Sequence, residues 1–363
     1  MGTSDGTKSV ALGLQGGGSH TAFTWGVLDR LLEEVQNGAL HITAISGTSG
    51  GALNGVVCAY GMLQGAAEAK RLLEKFWIAV SDESRWPENP LNTLLWPREN
   101  PARWNVDWNP LAISLGMAEQ IWSPYLNPWD WHNIIGRVLA SVITDFGALG
   151  ANGGRALKLF VCATAVDRTA LRIFGPGEIT LDAVIASACL PTLFRAMKIG
   201  EASYWDGGYM ANPALAPLVR CADDLLTVLV DPLVVKGGPP INPRQIVNRI
   251  NEVSFSSSWV LEMRQIEFIN ELLRKGHLKG THYKQKRFHL IHNDNFMEAI
   301  GAASKIVPSR DFLFELRDRG RQAAASWIKE NFSKLGCESS LDVRKEVELR
   351  LDGSQGAVAA LKP

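Results

Sequence analysis

The chain predicts an α/β fold with a mostly parallel central sheet. Three observations lead there. Short apolar runs alternate with helix-period segments through residues 9–64. Further strand-like runs recur at 157–165, 199–205 and 225–231. Glycine-rich turns join strand to helix at 16–18 and 47–51.

The elements follow in order. Val10–Gln15 reads as the first strand. Ala22, Trp25, Gly26, Leu28, Leu31, Leu32 and Val35 then share a helical face, with Glu33 and Glu34 on the other. Ile42–Ser46 is the second strand, with a helix after the Gly47–Gly51 turn. From Trp77 to Trp131 the pattern breaks. This stretch holds eight of the chain's 12 tryptophans and seven prolines, which exclude a long helix across it. Three readings stand for it: a lid over an apolar pocket, an interfacial surface, or an internally packed loop. Gly150–Gly154 reads as a loop, Leu157–Ala165 as a strand, Ala183–Leu190 as a short helix, and Ile199–Trp205 and Leu225–Asp231 as further strands. The C-terminal third is helical over Val247–Leu273 and Asp311–Leu335, with Phe288–Ile291 an edge strand between them. Lys275–Arg287 is basic and reads as a solvated loop or an anion-facing segment. One domain is expected over 8–335, with an insertion at 76–135, a mainly helical part at 245–335 and a tail at 336–363.

Composition narrows the class. A chain of 363 residues with net charge +0 and a pI near 7.1 does not suit nucleic acid as its main partner. Five scattered cysteines, odd in number and without metal-ligand spacing, point to free thiols and a reducing compartment. The polar start, Met1–Lys8, has no apolar h-region, and no window offers a clean transmembrane span. A cytoplasmic location, with peripheral contact at a membrane, is the expectation.

The chemistry is carried by three motifs. Gly47-Thr48-Ser49-Gly50-Gly51 directly follows a strand. A serine on such a sharp elbow presents its hydroxyl at the head of a helix, whose free N–H groups point back at the reaction centre. Gly16-Gly17-Gly18 follows the first strand, so bare amides there can face an anion. Phosphate binding is the competing reading, but a Walker lysine is absent and Thr21 breaks the dinucleotide spacing. A packing turn is the third. Finally, Asp206-Gly207-Gly208 puts a carboxylate at a strand end, where Asp-Gly also reads as a hairpin turn.

Together, in this order, these motifs resemble the patatin-like phospholipase family, in its bacterial branch. The match covers roughly residues 8–232. It includes Ala186–Phe194 and Asn212-Pro213, and Ala302-Ala303-Ser304-Lys305 further on. The resemblance implies a three-layer α/β/α fold. It implies Ser49 as nucleophile, Asp206 as base of a Ser–Asp dyad, and Gly16, Gly17 and Gly18 as an oxyanion hole, with no cofactor or metal. A lipid or acyl-ester substrate follows. Acyl transfer, cleavage of non-phospholipid esters such as hydroxyalkanoates, and acyl binding by a weakened enzyme are the alternatives. Where the family has a basic residue and then glycine, this chain has His20 and Thr21. Thr21 is expected to alter the loop, and His20 to carry partial charge or an auxiliary catalytic part.

Overall fold

The computed structural model describes residues 6–84, 100–106, 109, 123–126, 131–151, 157–235, 238–241 and 243–345. β1 (Lys8–Leu14), α1 (Ala22–Gln36), β2 (Leu40–Thr48) and α2 (Gly50–Met62) alternate as the periodicity predicts. α3 (Ala66–Ser84), α4 (Trp131–Val142) and the short α5 (Ala148–Ala151) precede β3 (Lys158–Ala165) and β4 (Ala170–Phe174). α6 (Leu181–Ser187), β5 (Met197–Ile199), β6 (Ala202–Asp206) and β7 (Asp224–Val228) follow. The chain closes with α7 (Pro243–Arg274), β8 (Arg287–Ile291), α8 (Asp294–Ile300) and α9 (Arg310–Asn331).

All eight strands join one sheet. β3, β2, β1, β7 and β8 run parallel, each paired to the next. β4, β5 and β6 pair antiparallel. Val10, Leu12 and Leu14 enter one core cluster with α1, α2, α3 and α9, whereas Ala11 enters a second with Trp259 and Met263 of α7. Period-two alternation with both faces buried is what a three-layer arrangement requires. α2 is nearly buried all round, as its even apolar distribution dictates.

One detail of pairing places the site. Val161 and Cys162 pair with β2 and β4 together, so those strands flank opposite edges of β3. Ala163 to Ala165 pair with β4 and β6 together. β6 therefore takes over the edge that β2 vacates. Thr48 faces Cys162 and Asp206 faces Ala163, one residue further along.

Several expectations change. The run Ile199–Trp205 is a hairpin: β5 ends at Ile199, and Gly200, at φ 61°, turns the chain into β6. Gly150 and Ala151 finish α5, while 152–154 fall outside the described residues. The basic stretch is not wholly solvated: Lys286 is buried on Asp223, and Arg287 clasps Asp224. Trp77 lies inside α3, stacked on Trp25 at 6.5 Å, with its Nε1–H donating to Asn54 Oδ1 at 3.0 Å. Trp104 packs at the core's edge against Phe312. Trp86, Trp96, Trp108, Trp122 and Trp129 lie outside the described residues, so the reading of that segment stands as an expectation. Beyond 335 the chain keeps packing as far as Val343, with Ser340 bonded to His289. Residues 346–363, the rest of the expected tail, lie outside the described residues.

Candidate active site

Ser49 sits between β2 and α2 at φ 53°, ψ −127°. It is the only non-glycine residue with positive φ among the described residues. Such strain persists only where the surroundings over-determine it. Here they do. The Ser49 amide donates to Ser187 Oγ at 2.9 Å. Thr48 Oγ1 donates to the Ala211 carbonyl at 2.8 Å. On the helix side, any side chain at Gly51 would overlap the Leu14 carbonyl, and one at Gly50 the Thr21 hydroxyl; a Cβ at Gly47 would lie 2.6 Å from the Gly51 carbonyl. α2 thereby starts directly against the end of β1, with its first amides unpaired along the helix.

The glycine loop passes beside the serine. A Cβ on Gly16 would lie 2.6 Å from that of Ser49. The Gly16 amide is already spent: it donates to Asn212 Oδ1 at 2.7 Å. The Gly17 and Gly18 amides have no protein acceptor among the described residues. They, and not Gly16, are the donors open to an oxyanion. Gly18 has φ 56° and rests on the Lys305 carbonyl, so this position excludes a side chain. Gln15 braces the loop from behind, its Oε1 accepting from Val230 and Asp231 amides at 2.7 and 2.9 Å.

Thr21 does not distort this loop. It adopts an ordinary helical conformation at φ −72° and donates its hydroxyl to the Gly18 carbonyl at 2.7 Å. His20 turns into the core. Its Nε2 meets Ser304 Oγ at 2.7 Å, and its ring packs edge-on to Phe312. Burial, aided by the nearby Lys305 cation, pushes its pKa well below the usual imidazole value. The expected partial charge is thus absent at neutral pH. The cation near the loop is Lys305, paired with the buried Asp231.

Asp206 ends β6 and is 2% exposed. Its Oδ1 accepts from the Gly208 amide at 2.8 Å, and its carbonyl accepts from Thr164 Oγ1 at 2.8 Å. Oδ2 is buried without a fully formed hydrogen bond. Burial raises the carboxyl pKa to about 6, against opposing hydrogen bonding from the Ser49 hydroxyl and the Gly208 amide. The serine hydroxyl therefore stands at the carboxylate but does not satisfy it. Gly207 lies on the Cys162 carbonyl, and Phe255 of α7 covers Gly208 with no room for a Cβ. Tyr209 packs against Phe255 with the rings tilted by 60° and their centroids 5.2 Å apart. Cys189, close to the site, is buried with its thiol pushed up to about 12, a packing residue and not a nucleophile.

The motifs thus meet as the sequence ordered them. Ser187 and Asn212 are the supporting residues that motif spacing did not single out. Both lay inside stretches that carried the resemblance, which was the available signal. Among the described residues no trio of histidine, cysteine and carboxylate side chains is placed to hold a metal. No helix there is long and apolar enough to cross a membrane.

Among solved structures, the chain is similar to VipD from Legionella pneumophila, at 16% identity over 86% of this chain and 67% of that one, with a TM-score of 0.35. It is similar to the type III effector ExoU at 14% identity over 90% of this chain and 53% of that one, TM-score 0.35. The full-length ExoU–SpcU complex from Pseudomonas aeruginosa gives 15% identity, 88% and 53% coverage, and a TM-score of 0.31. The chain spans about half the length of ExoU. Curated proteins give no significant match. The family model for patatin-like phospholipase matches residues 12–219, which contain all three motifs. The chain belongs to the patatin-like phospholipase family.

Proposed function

We propose that this chain is a serine-dependent lipid acyl hydrolase of the phospholipase A or esterase type, working through an acyl-enzyme. One observation carries the reading: a strained serine heads a helix against a buried carboxylate whose pKa is raised to about 6. A solvated aspartate is too weak a base for a serine hydroxyl; a desolvated one is stronger. The Asp206 carboxylate takes the Ser49 proton as Oγ attacks the ester carbonyl. The Gly17 and Gly18 amides receive the oxyanion of the tetrahedral intermediate. Asp206 returns the proton to the departing alcohol, leaving an acyl-serine. Water then attacks, giving its proton to Asp206, and Ser49 regains it as the acid leaves. The family supports lipid hydrolysis, and the geometry supports these roles.

The test uses a medium-chain p-nitrophenyl ester with wild type, Ser49→Ala and Asp206→Asn. Loss of nearly all turnover in both variants is expected, with fluorophosphonate labelling confined to Ser49. Full activity in either variant sinks the dyad.

A further inference from the structure

α7 is apolar on two sides. Its inner face carries Trp259 and Met263 into the core and lays Phe255 on Gly208. Its outer face should then be polar, as a surface helix of this length ordinarily is. Instead it carries an apolar line, interrupted by Ser257 and Arg264. Ile246, Ile250, Val253, Leu261 and Phe268 are 39% to 59% exposed. Their spacings of four, three, eight and seven residues align them along one line of the helix. At about 1.5 Å per residue the stripe runs for about 33 Å.

Charge says what suits this stripe. No acidic side chain is exposed between 245 and 268. The three acids of that stretch are engaged: Glu252 with Arg249, Glu262 with the Leu215 and Ala216 amides, and Glu267 with Arg274. Beyond it, Glu271 is neutralised by Lys275 and Arg344. Arg264 on the stripe, and Lys279 and Lys284 beyond its C-terminal end, are cations without an ion pair among the described residues. An apolar line with cations and no free anion suits an anionic bilayer, where side chains enter the acyl boundary and lysines meet headgroups. The position fits as well. Through Phe255 and Tyr209, the same helix forms the wall beside Asp206, so a surface held by the outer face lies one helix thickness from the site.

We infer that the outer face of α7, Ile246 to Phe268 with Lys279 and Lys284, docks the enzyme on an anionic lipid surface beside the Ser49–Asp206 site. The choice of a lipid surface as occupant rests on the acyl-hydrolase reading above.

Ser49→Ala protein, which leaves lipids intact, is sedimented with phosphatidylcholine vesicles with and without phosphatidylserine. Binding is expected with phosphatidylserine. Adding Ile250→Gln, Val253→Gln and Phe268→Gln should weaken it at least about tenfold. Lys279→Glu with Lys284→Glu, in a fold left otherwise untouched, should weaken it by a smaller, salt-dependent factor. In the wild-type background the triple substitution should leave soluble-ester turnover unchanged. Absence of vesicle binding, undiminished binding by both variants, or a dimer that the triple variant disperses overturns the proposal. Vesicle binding by a protein that cleaves no ester sinks the hydrolase reading and leaves the docking surface; ester cleavage without vesicle binding does the reverse.

Discussion

The Gly16 amide donates to Asn212 Oδ1 at 2.7 Å, which ties the glycine loop to the segment after Asp206. The Asn212 backbone N–H in turn donates to Ser258 Oγ of α7 at 3.1 Å. Loop, carboxylate segment and α7 are thus held through one buried residue, by its side chain to the loop and by its backbone to α7. Asn212→Ala should lower kcat by roughly ten- to hundredfold by loosening the oxyanion donors, with KM little moved. It should also cost about 1–3 kcal/mol of stability, because the Gly16 amide is left buried and unpaired. Steady-state kinetics and a denaturant melt read both. An unchanged kcat would dissociate Gly16 from the oxyanion loop.

The raised pKa of Asp206 has two consequences of opposite kind. The base must be ionised, so kcat/KM should fall as pH drops through about 6. Stability runs the other way. The folded pKa, about 6, exceeds the ordinary 3.8, so the native state binds more protons between those values. The stability this group contributes at low pH is lost as pH rises through about 6, on the order of 3 kcal/mol in all. Asp206→Asn should be inactive yet should lack this loss. Chemical melts of wild type and variant at pH 5 and at neutrality check it, within about the range where both stay folded.

Ser49 holds a backbone conformation that glycine adopts without strain. Ser49→Gly should therefore equal or exceed Ser49→Ala in stability, by about 1 kcal/mol, although glycine at a helix start is ordinarily no better than neutral. Comparing the thermal midpoints of the two inactive variants decides this. A clearly less stable glycine variant would remove strain as the explanation for the elbow.

His20 is buried and bonded to Ser304, and its lowered pKa keeps it neutral near pH 7. His20→Leu should leave the acid limb of the kcat/KM profile where it is. It should cost about 1–2 kcal/mol of stability through the lost hydrogen bond. A limb displaced in the variant would give His20 a part in proton transfer.

What could be read along the chain was what local backbone geometry demands. A serine at positive φ needs small neighbours, so Gly47–Gly51 stands out. A loop with bare amides needs consecutive glycines, so Gly16–Gly18 does too. Strand and helix periods separate α from β through residues 9–64, and these signals survived folding intact. The reading weakened where one local pattern allows two outcomes. Ile199–Trp205 is apolar enough for one strand, yet Gly200 folds it into two.

The tertiary structure decided everything that joins distant residues. It placed β6 on the edge of β3 that β2 leaves free, which brings Asp206 to Ser49 across a long stretch of sequence. It assigned the Gly16 amide to Asn212 and the Ser49 amide to Ser187. It buried His20 away from the reaction and turned an apolar line of α7 outward. Sequence period records which faces of an element are apolar. Which of those faces is covered, and which amide is claimed, depends on the packing of elements far apart in the chain.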